Sequence, residues 1–293
     1  MNKKRILGSI LCGLISALSV TSCGGTNNSN GNSNINSNSN SSVTSKLVIG
    51  LECNYAPFNW TENNANEYTL PISNMGNSYA DGYDIQIAKY LGEKLNYDIV
   101  IKKLEWDALL TSMVTGDINC IIAGMSYSEE RDLTIDFTNN YYTSEMTIVV
   151  RKNSPLANIT NVNELANYKV VSQRGTLTYD IIDQIPNVIK QPALDSFAVA
   201  SLSVASGTSD AMTAEYPVAK AIVNGNSSLT LVTFSKENGF KNLDENELGV
   251  AIGIQEGNNE LKELINNALN ELSDEKRKEM MDGAIDRAPG SDN

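Results

Sequence analysis

The chain has 293 residues, 41% of them hydrophobic, so it is long enough for one large or two medium globular domains. Its formal net charge of −13 argues against nucleic acid or an anionic membrane surface as the main partner. The sequence contains no histidine, which excludes Ser-His-Asp catalysis, Cys-His catalysis and histidine-based metal sites. We therefore expect neither a metal nor a cofactor.

The N-terminus has the features of an export signal. Basic residues at positions 3–5 precede a short apolar run, and small residues then lead to Cys23. The run is too short to span a membrane, so residues 1–22 are predicted to be a signal peptide. The residues before Cys23 resemble the lipobox of bacterial lipoproteins, which implies a lipid anchor on the Cys23 sulfur at the extracytoplasmic side of the membrane. The alternative is an ordinary signal peptide followed by an unrelated cysteine.

Residues 23–45 are mostly Asn, Ser, Gly and Thr. Such a composition cannot form a core, and it predicts a disordered tether between the anchor and the folded domain. Two cysteines remain in the folded part, Cys53 and Cys120. Each lies in an apolar strand context, so we expect buried free thiols, although export would permit a disulfide.

The folded part begins at Lys46, and strands alternate with helices along it. A first series ends with a strand at Cys120, and a second follows a strand over Met146–Arg151. A long polar loop is expected over Asn59–Tyr79. The alternation predicts an α/β fold with two lobes, each a mostly parallel sheet flanked by helices. A final strand and helix over 248–272 could complete either lobe.

The segment Asn119–Arg131 has the pattern of a small carboxylate receptor. A short buried strand is followed by a turn at Gly124, and Ser128 is the predicted N-cap of the next helix. Backbone N–H groups of such a turn favour an anion, and Arg131 offers a guanidinium that matches a carboxylate. The alternative is an ordinary strand-to-helix turn with a solvated arginine.

Five motifs together resemble the amino-acid-binding proteins of bacterial ABC importers, in the polar amino acid group of solute-binding family 3. These motifs are IGLECNYAPF (49–58), DGYDIQIAKYLG (81–92), EWDALLTSMVTGDINCIIAGMSYSEER (105–131), IDFTNNYY (135–142) and SDAMTAEYPVA (209–219).

The resemblance implies a periplasmic-binding-protein-like fold whose two lobes are joined by two hinge strands. Lobe 1 would then comprise residues 46–146 and 250–293, with a C-terminal tail, and lobe 2 residues 147–249. It further implies a non-enzymatic monomer that captures a free L-amino acid and delivers it to a separate membrane permease and its ATPase.

The resemblance also assigns roles to site residues. Arg131 would clamp the ligand α-carboxylate, with Gly124 and Ser126 as backbone and hydroxyl partners. Thr176 would reach the same carboxylate from lobe 2, and Glu215 would bind the α-ammonium. From the residues alone, Thr176 could equally be a turn hydroxyl and Glu215 an acid at a helix start.

The predicted side-chain pocket combines Tyr55 and Tyr83, which would sandwich the ligand, with Glu52 at its distal end. An aromatic pair and a carboxylate favour arginine or lysine, with arginine ahead because a guanidinium stacks flat on rings. The alternatives are core packing for the tyrosines and a solvated Glu52. Arg174 would reverse the ligand prediction if it pointed into the cleft. Glutamine, another neutral polar amino acid or cystine remain open as ligands.

Two other functions use the same fold. Some relatives of this fold have dehydratase activity, and in a cyclohexadienyl-dehydratase-like enzyme Glu52, Glu215 or Asp81 could act as acid–base groups. A sensor or adhesin would use the same binding chemistry without transport. The combination of a carboxylate clamp and aromatic residues favours a binding protein over an enzyme.

Overall fold

The computed structural model of the protein describes residues 45–243 and 247–290, all of which belong to one compact unit. The predicted signal peptide (1–22), the lipidation site Cys23 and the tether (23–45) lie outside the described residues, apart from Ser45. The strands are β1 (Ser45–Leu51), β2 (Asn54–Tyr55), β3 (Asn59–Glu62), β4 (Leu70–Pro71), β5 (Tyr79–Asp81), β6 (Tyr97–Lys103), β7 (Cys120–Ile121), β8 (Ile135–Thr143), β9 (Met146–Arg151), β10 (Lys169–Val171), β11 (Ile189–Lys190), β12 (Ala211–Glu215), β13 (Leu229–Val232) and β14 (Gly249–Gln255).

The α-helices are α1 (Tyr83–Leu95), α2 (Leu109–Val114), α3 (Glu129–Asp132), α4 (Leu177–Asp180), α5 (Phe197–Ser206), α6 (Tyr216–Gly225), α7 (Asn259–Asn270) and α8 (Asp274–Arg287). Several begin at a hydroxyl N-cap that accepts a first-turn backbone N–H; these caps are Ser128, Thr176, Ser196 and Ser273. Among the described residues, no helix has the length and apolar character needed to cross a bilayer.

Two five-stranded sheets form the two lobes. The lobe 1 sheet has the order β6-β1-β7-β14-β8, and the lobe 2 sheet has the order β11-β10-β12-β9-β13. In each sheet four strands run in one direction and one runs opposite, β14 in lobe 1 and β9 in lobe 2. The two-lobed α/β fold with mostly parallel sheets is therefore confirmed. In each sheet, the antiparallel strand is the first one that the chain forms after it crosses from the other lobe.

The chain crosses between the lobes twice, between β8 and β9 and between β13 and β14. The two crossings lie side by side, since the Ser144 N–H donates to the Leu248 carbonyl over 3.2 Å. Nearby, the Tyr216 N–H donates to the Glu145 carbonyl over 2.8 Å. The last strand and the helices α7 and α8 complete lobe 1, because β14 pairs with β7 and β8.

The predicted loop over Asn59–Tyr79 is in part a small antiparallel sheet of order β2-β3-β5-β4. Its strands are two to four residues long, too short to show an alternating pattern in the sequence. The helix α8 was also not predicted. Its first turns are strongly charged, and it is held in place by Arg287, which forms an ion pair of 3.0 Å with the buried Asp81 of lobe 1.

Cys53 and Cys120 are both buried free thiols, as expected. Burial raises the pKa of each thiol to about 12. A thiol with so high a pKa is protonated at neutral pH and is a poor nucleophile, so neither cysteine adds reactive chemistry to the fold.

Candidate functional site

The carboxyl ends of the parallel strands of both sheets meet at the interface between the lobes. In lobe 1, Glu52 follows β1, Trp106 follows β6 and Gly124 follows β7; in lobe 2, Gln173 follows β10 and Glu215 ends β12. In open α/β sheets this edge is where ligands bind. The sheet topology therefore brings together residues that are up to 163 positions apart in numbering, from Glu52 to Glu215.

A cavity of about 20 Å³ lies between the two lobes. That is room for little more than one water molecule, so the lobes are closed on each other. A wider cleft of about 830 Å³ adjoins the cavity and shares Trp106, Arg131, Thr176 and Leu177 with it. The cavity is lined by Glu52, Tyr55, Trp106, Gly124, Ser126, Arg131, Gln173, Thr176, Leu177, Phe197 and Glu215.

Arg131 is held by backbone oxygens of both lobes. Its Nη1 donates to the Ser126 carbonyl over 2.5 Å, and its Nη2 donates to the Gly175 carbonyl over 2.7 Å. The guanidinium carbon lies 5.3 Å from the centre of the Trp106 ring, a cation–π contact. Burial lowers the pKa of Arg131, while the charges of Asp180 and Glu130 oppose that shift. An arginine remains charged under such conditions, so the cavity keeps one cation.

The turn before Arg131 is shaped by Gly124, which has φ +59°. A Cβ there would lie 2.7 Å from Cε1 of Tyr55, so the close approach of the turn to that ring requires glycine. The Gly124 N–H donates to the Tyr141 hydroxyl over 2.9 Å. The next lining residue, Ser126, is buried and pairs with Val250 of β14 through an isolated bridge.

Thr176 lines the cavity, and its hydroxyl is already used within its own turn. It accepts from the Tyr179 N–H as the N-cap of α4 and donates to the Gln173 carbonyl over 2.7 Å. The predicted N-cap role of Ser128 is confirmed, because its hydroxyl accepts from the Arg131 N–H over 3.2 Å.

Glu215 and Tyr55 link the lobes directly. The Tyr55 hydroxyl donates to Oε2 of Glu215 over 2.6 Å, and both side chains are buried. Burial raises the pKa of Glu215, and the hydrogen bond from Tyr55 partly offsets that effect. Burial also raises the pKa of Tyr55, so the tyrosine is the donor and the carboxylate the acceptor.

Glu52 is the second buried carboxylate of the cavity, with 6% of its surface exposed. The Nε2 of Gln173 donates to it over 3.1 Å and also donates to the Asp195 carbonyl over 3.1 Å. Burial raises the pKa of Glu52 to about 7, with smaller raising effects from the charges of Glu105 and Asp107. Glu52 therefore faces the cavity and is not solvated at the cleft rim.

Tyr83 is not part of the cavity lining, contrary to the sequence prediction. It is fully buried in lobe 1, stacks on Tyr141 with ring centroids 5.9 Å apart, and donates its hydroxyl to the Tyr141 carbonyl. As the first residue of α1 it points into the lobe, because the helix packs on the sheet there. The aromatic residues beside Tyr55 at the cavity are Trp106 and Phe197.

Trp106, Phe197 and Gln173 were missed by sequence reasoning. Phe197 packs on Tyr55 with ring centroids 4.7 Å apart and a tilt of 34°. The Trp106 indole N–H donates to the Gly175 carbonyl of the opposite lobe over 3.4 Å. A usable signal existed for Trp106, since it follows a predicted strand at the same sheet edge as Glu52.

Arg174 lies outside the cavity at its rim. It is more than half exposed and forms ion pairs with Asp107 of lobe 1, at 3.2 Å, and with Asp195 of lobe 2, at 2.5 Å. It therefore does not supply a second cation to the cavity. Within residues 45–243 and 247–290, no cluster of His, Cys, Asp and Glu side chains could hold a metal ion.

The chain matches the family model of the bacterial extracellular solute-binding proteins, family 3, over residues 47–282. It is 26% identical over 159 residues to the arginine-binding extracellular protein ArtP of Bacillus subtilis, a match that covers 54% of this chain and 52% of ArtP. The chain thus spans about half the length of that relative. It is 22% identical to the ABC transporter glutamine-binding protein GlnH of Bacillus subtilis, with 94% of each chain covered.

A solved structure has the same fold. It is an amino acid ABC transporter substrate-binding protein, AbpA of Streptococcus pneumoniae, bound to L-arginine, with a TM-score of 0.70 and 24% identity over 85% of this chain and 97% of that one. The chain belongs to the bacterial extracellular solute-binding proteins of family 3. The three proteins named here are amino acid binders, and none is described as an enzyme.

Proposed function

We propose that this protein is the substrate-binding component of an amino acid ABC importer and that its ligand has a cationic side chain, with arginine favoured over lysine. The proposal includes delivery of the ligand to a separate permease and ATPase. It also includes a lipid anchor at Cys23, supported by the small residues that precede this cysteine.

The balance of charge in the cavity carries the ligand assignment. Its charged lining residues are Glu52, Glu215 and Arg131, two acids and one base. A buried charge is costly unless it is paired, so the ligand must supply one net positive charge when both acids are ionised. An amino acid with a cationic side chain meets this requirement, because it carries one carboxylate and two cations. Glutamate or aspartate would instead bring two carboxylates, which gives four anions in the site against two cations, Arg131 and the ligand α-ammonium.

Each charged group then has one partner on the ligand. Arg131 would bind the α-carboxylate, supported by the turn at Gly124 and Ser126 and by Thr176 at the start of α4. Glu215 would bind the α-ammonium. Glu52 would bind the distal cation, and the rings of Tyr55 and Trp106 would cover the rest of the side chain.

Closure of the lobes supports this arrangement. The two carboxylates are held across the interface, Glu215 by Tyr55 and Glu52 by Gln173. Ligand ammonium and guanidinium groups are stronger donors to a carboxylate than a phenol or an amide. A bound ligand would therefore supply cross-lobe bonds that exist only in the closed form and would stabilise that form.

A neutral polar amino acid such as glutamine is the second candidate. The pKa of Glu52 near 7 favours it, because a protonated Glu52 leaves the cavity with one acid and one base. The glutamine-binding relative that matches along 94% of the chain also supports this ligand.

The test is a thermal-shift screen of the protein from Thr44 onward against the twenty amino acids, ornithine and cystine. A ligand at a thousandfold excess over its dissociation constant stabilises the folded protein by about 4 kcal/mol. We expect a large shift with arginine, a smaller one with lysine and none with glutamate. A shift with glutamine alone would replace the cationic ligand by the neutral one. No shift with any amino acid would contradict the proposed function.

A further inference from the structure

A third buried carboxylate lies next to the site and does not line the cavity. Asp84 is fully buried near the start of α1. Its Oδ1 accepts from the Tyr141 hydroxyl over 2.6 Å, and its Oδ2 accepts from Nδ2 of Asn59 over 2.7 Å. The positive end of the helix dipole favours an anion at this position.

Asp84 is buried without a cation beside it. None of the ion pairs among the described residues involves it, and the titratable groups near it are Cys53, Tyr55, Tyr83 and Tyr141, all neutral at pH 7. Burial raises its pKa to about 7. An unpaired buried acid destabilises a fold, so its presence calls for a reason beyond packing.

Tyr141 connects this acid to the cavity. Its hydroxyl donates to Asp84 and accepts from the Gly124 N–H over 2.9 Å. The ring cannot move freely, because Tyr141 is fully buried, stacks on Tyr83, and has its carbonyl bonded by Arg277 over 2.6 Å. The hydroxyl therefore gives the Gly124 N–H a fixed partner, and Gly124 is part of the cavity wall.

We propose that Asp84 and Tyr141 are positioning residues for ligand binding: their hydrogen bonds fix the Gly124 turn, so that Ser126 and Arg131 face the ligand carboxylate. The assignment rests on the proposed function of the site. Neither residue touches the cavity. Their effect passes through one backbone N–H, that of Gly124.

The Asn59 side chain makes this proposal specific. Its Oδ1 is buried and has no hydrogen-bond partner among the described residues. In Asp84→Asn, the new amide could accept from Tyr141 and donate to Oδ1 of Asn59 once the Asn59 amide has turned over. The hydrogen bonds that link residue 84 to Gly124 through Tyr141 would then be kept, although the carboxylate charge is removed. In Tyr141→Phe, the ring packing is kept and the Gly124 N–H loses its hydroxyl partner, which leaves it beside the Asp84 carboxylate alone.

The experiment compares three variants of the protein from Thr44 onward. Tyr141→Phe removes the connection and Asp84→Asn preserves it. Tyr90→Phe is the matched control: Tyr90 lies on the same helix as Asp84, but its hydroxyl donates to the Ala268 carbonyl over 2.8 Å and the residue does not line the cavity. Affinity for L-arginine is measured by titration calorimetry. The Gly124 amide is observed by NMR after labelling with ¹³C′-alanine and ¹⁵N-glycine, which gives one cross-peak because Ala123–Gly124 is the single Ala-Gly pair in the sequence.

We expect Tyr141→Phe to weaken arginine binding about tenfold, as the loss of one buried hydrogen bond predicts, and to shift the Gly124 cross-peak. Asp84→Asn should weaken arginine binding by less than Tyr141→Phe does, about threefold, because it removes the carboxylate charge and keeps an acceptor for the Tyr141 hydroxyl. Tyr90→Phe should change neither affinity nor the cross-peak.

Unchanged affinity in Tyr141→Phe would overturn the proposal, whether or not the cross-peak moves. If Tyr141→Phe does not fold, hydrogen exchange of the Gly124 amide is measured in the wild-type protein, to test whether its N–H is held in a hydrogen bond. Exchange as fast as in an exposed loop would overturn the proposal, and strong protection would support it. Failure of the wild-type protein to bind any amino acid is a separate result, which contradicts the proposed function and not the hydrogen-bond geometry.

Discussion

The two lobes share one sheet topology and contribute different chemistry to the site. Lobe 1 supplies the cation Arg131, the distal acid Glu52 and the glycine turn, all at the carboxyl edge of its sheet. Lobe 2 supplies Glu215 and Gln173, which already bond to lobe 1 residues in the closed form. Under the proposed function, lobe 1 would provide two of the three charged ligand contacts, Arg131 and Glu52, and lobe 2 would provide the third, Glu215.

The largest effect is expected from removing the lobe 1 cation. Arg131→Ala should abolish binding of every amino acid, because the loss of one partner of a buried charge pair costs about 2–5 kcal/mol. The matched control is Arg174→Ala in lobe 2, an exposed arginine whose ion pairs contribute less than about 1 kcal/mol. Calorimetric titration of both variants with arginine measures the difference. Equal losses would mean that the rim arginine also binds ligand.

The lobe 2 acid should be nearly as important. Glu215→Gln keeps the shape of the side chain and its ability to accept from Tyr55, and it removes the charge that pairs with the α-ammonium. We expect arginine and glutamine to lose affinity together, by about 2–3 kcal/mol, because both carry an α-ammonium. Titration of the variant with each ligand checks this. A loss confined to arginine would assign Glu215 to the ligand side chain.

Substitution of Glu52, the lobe 1 acid, should lower the affinity only for ligands with a cationic side chain. Glu52→Gln removes the distal charge and is expected to weaken arginine binding by about 1–2 kcal/mol while leaving glutamine binding unchanged. Glu93→Gln, an exposed acid on α1, serves as the control. Competition between the two ligands on one sample gives the selectivity directly. Full arginine affinity in Glu52→Gln would contradict the ligand assignment and leave the family unaffected.

The smallest effect concerns pH. Because burial raises the pKa of Glu52 to about 7, the acid is mostly protonated below that pH and then cannot pair with a cation. Arginine affinity should therefore fall about tenfold more than glutamine affinity from pH 8 to pH 6. Asp84 also has a pKa near 7, but its protonation would affect both ligands alike. The pH dependence of the ratio of arginine affinity to glutamine affinity should disappear in Glu52→Gln.

Sequence reasoning identified most of the cavity wall, because its motifs lie where predicted strands end. Glu52, Tyr55 and the turn from Gly124 to Arg131 line the cavity, as do Thr176 and Glu215. Their ligand contacts stay predictions. The placement of Tyr83 was wrong because its motif resembles a pocket aromatic, whereas the direction of the α1 start turns the ring into lobe 1.

The sequence by itself determined the α/β class, the two series of strands and helices, and the residue types of an amino acid receptor. These follow from local periodicity and from motifs within a few residues of one another. The tertiary structure decided which aromatic residues face the cavity, that Arg174 pairs at the rim, and that Asp84 connects to Gly124 through Tyr141. Those facts depend on contacts between distant segments, which hydrophobic pattern and spacing do not encode.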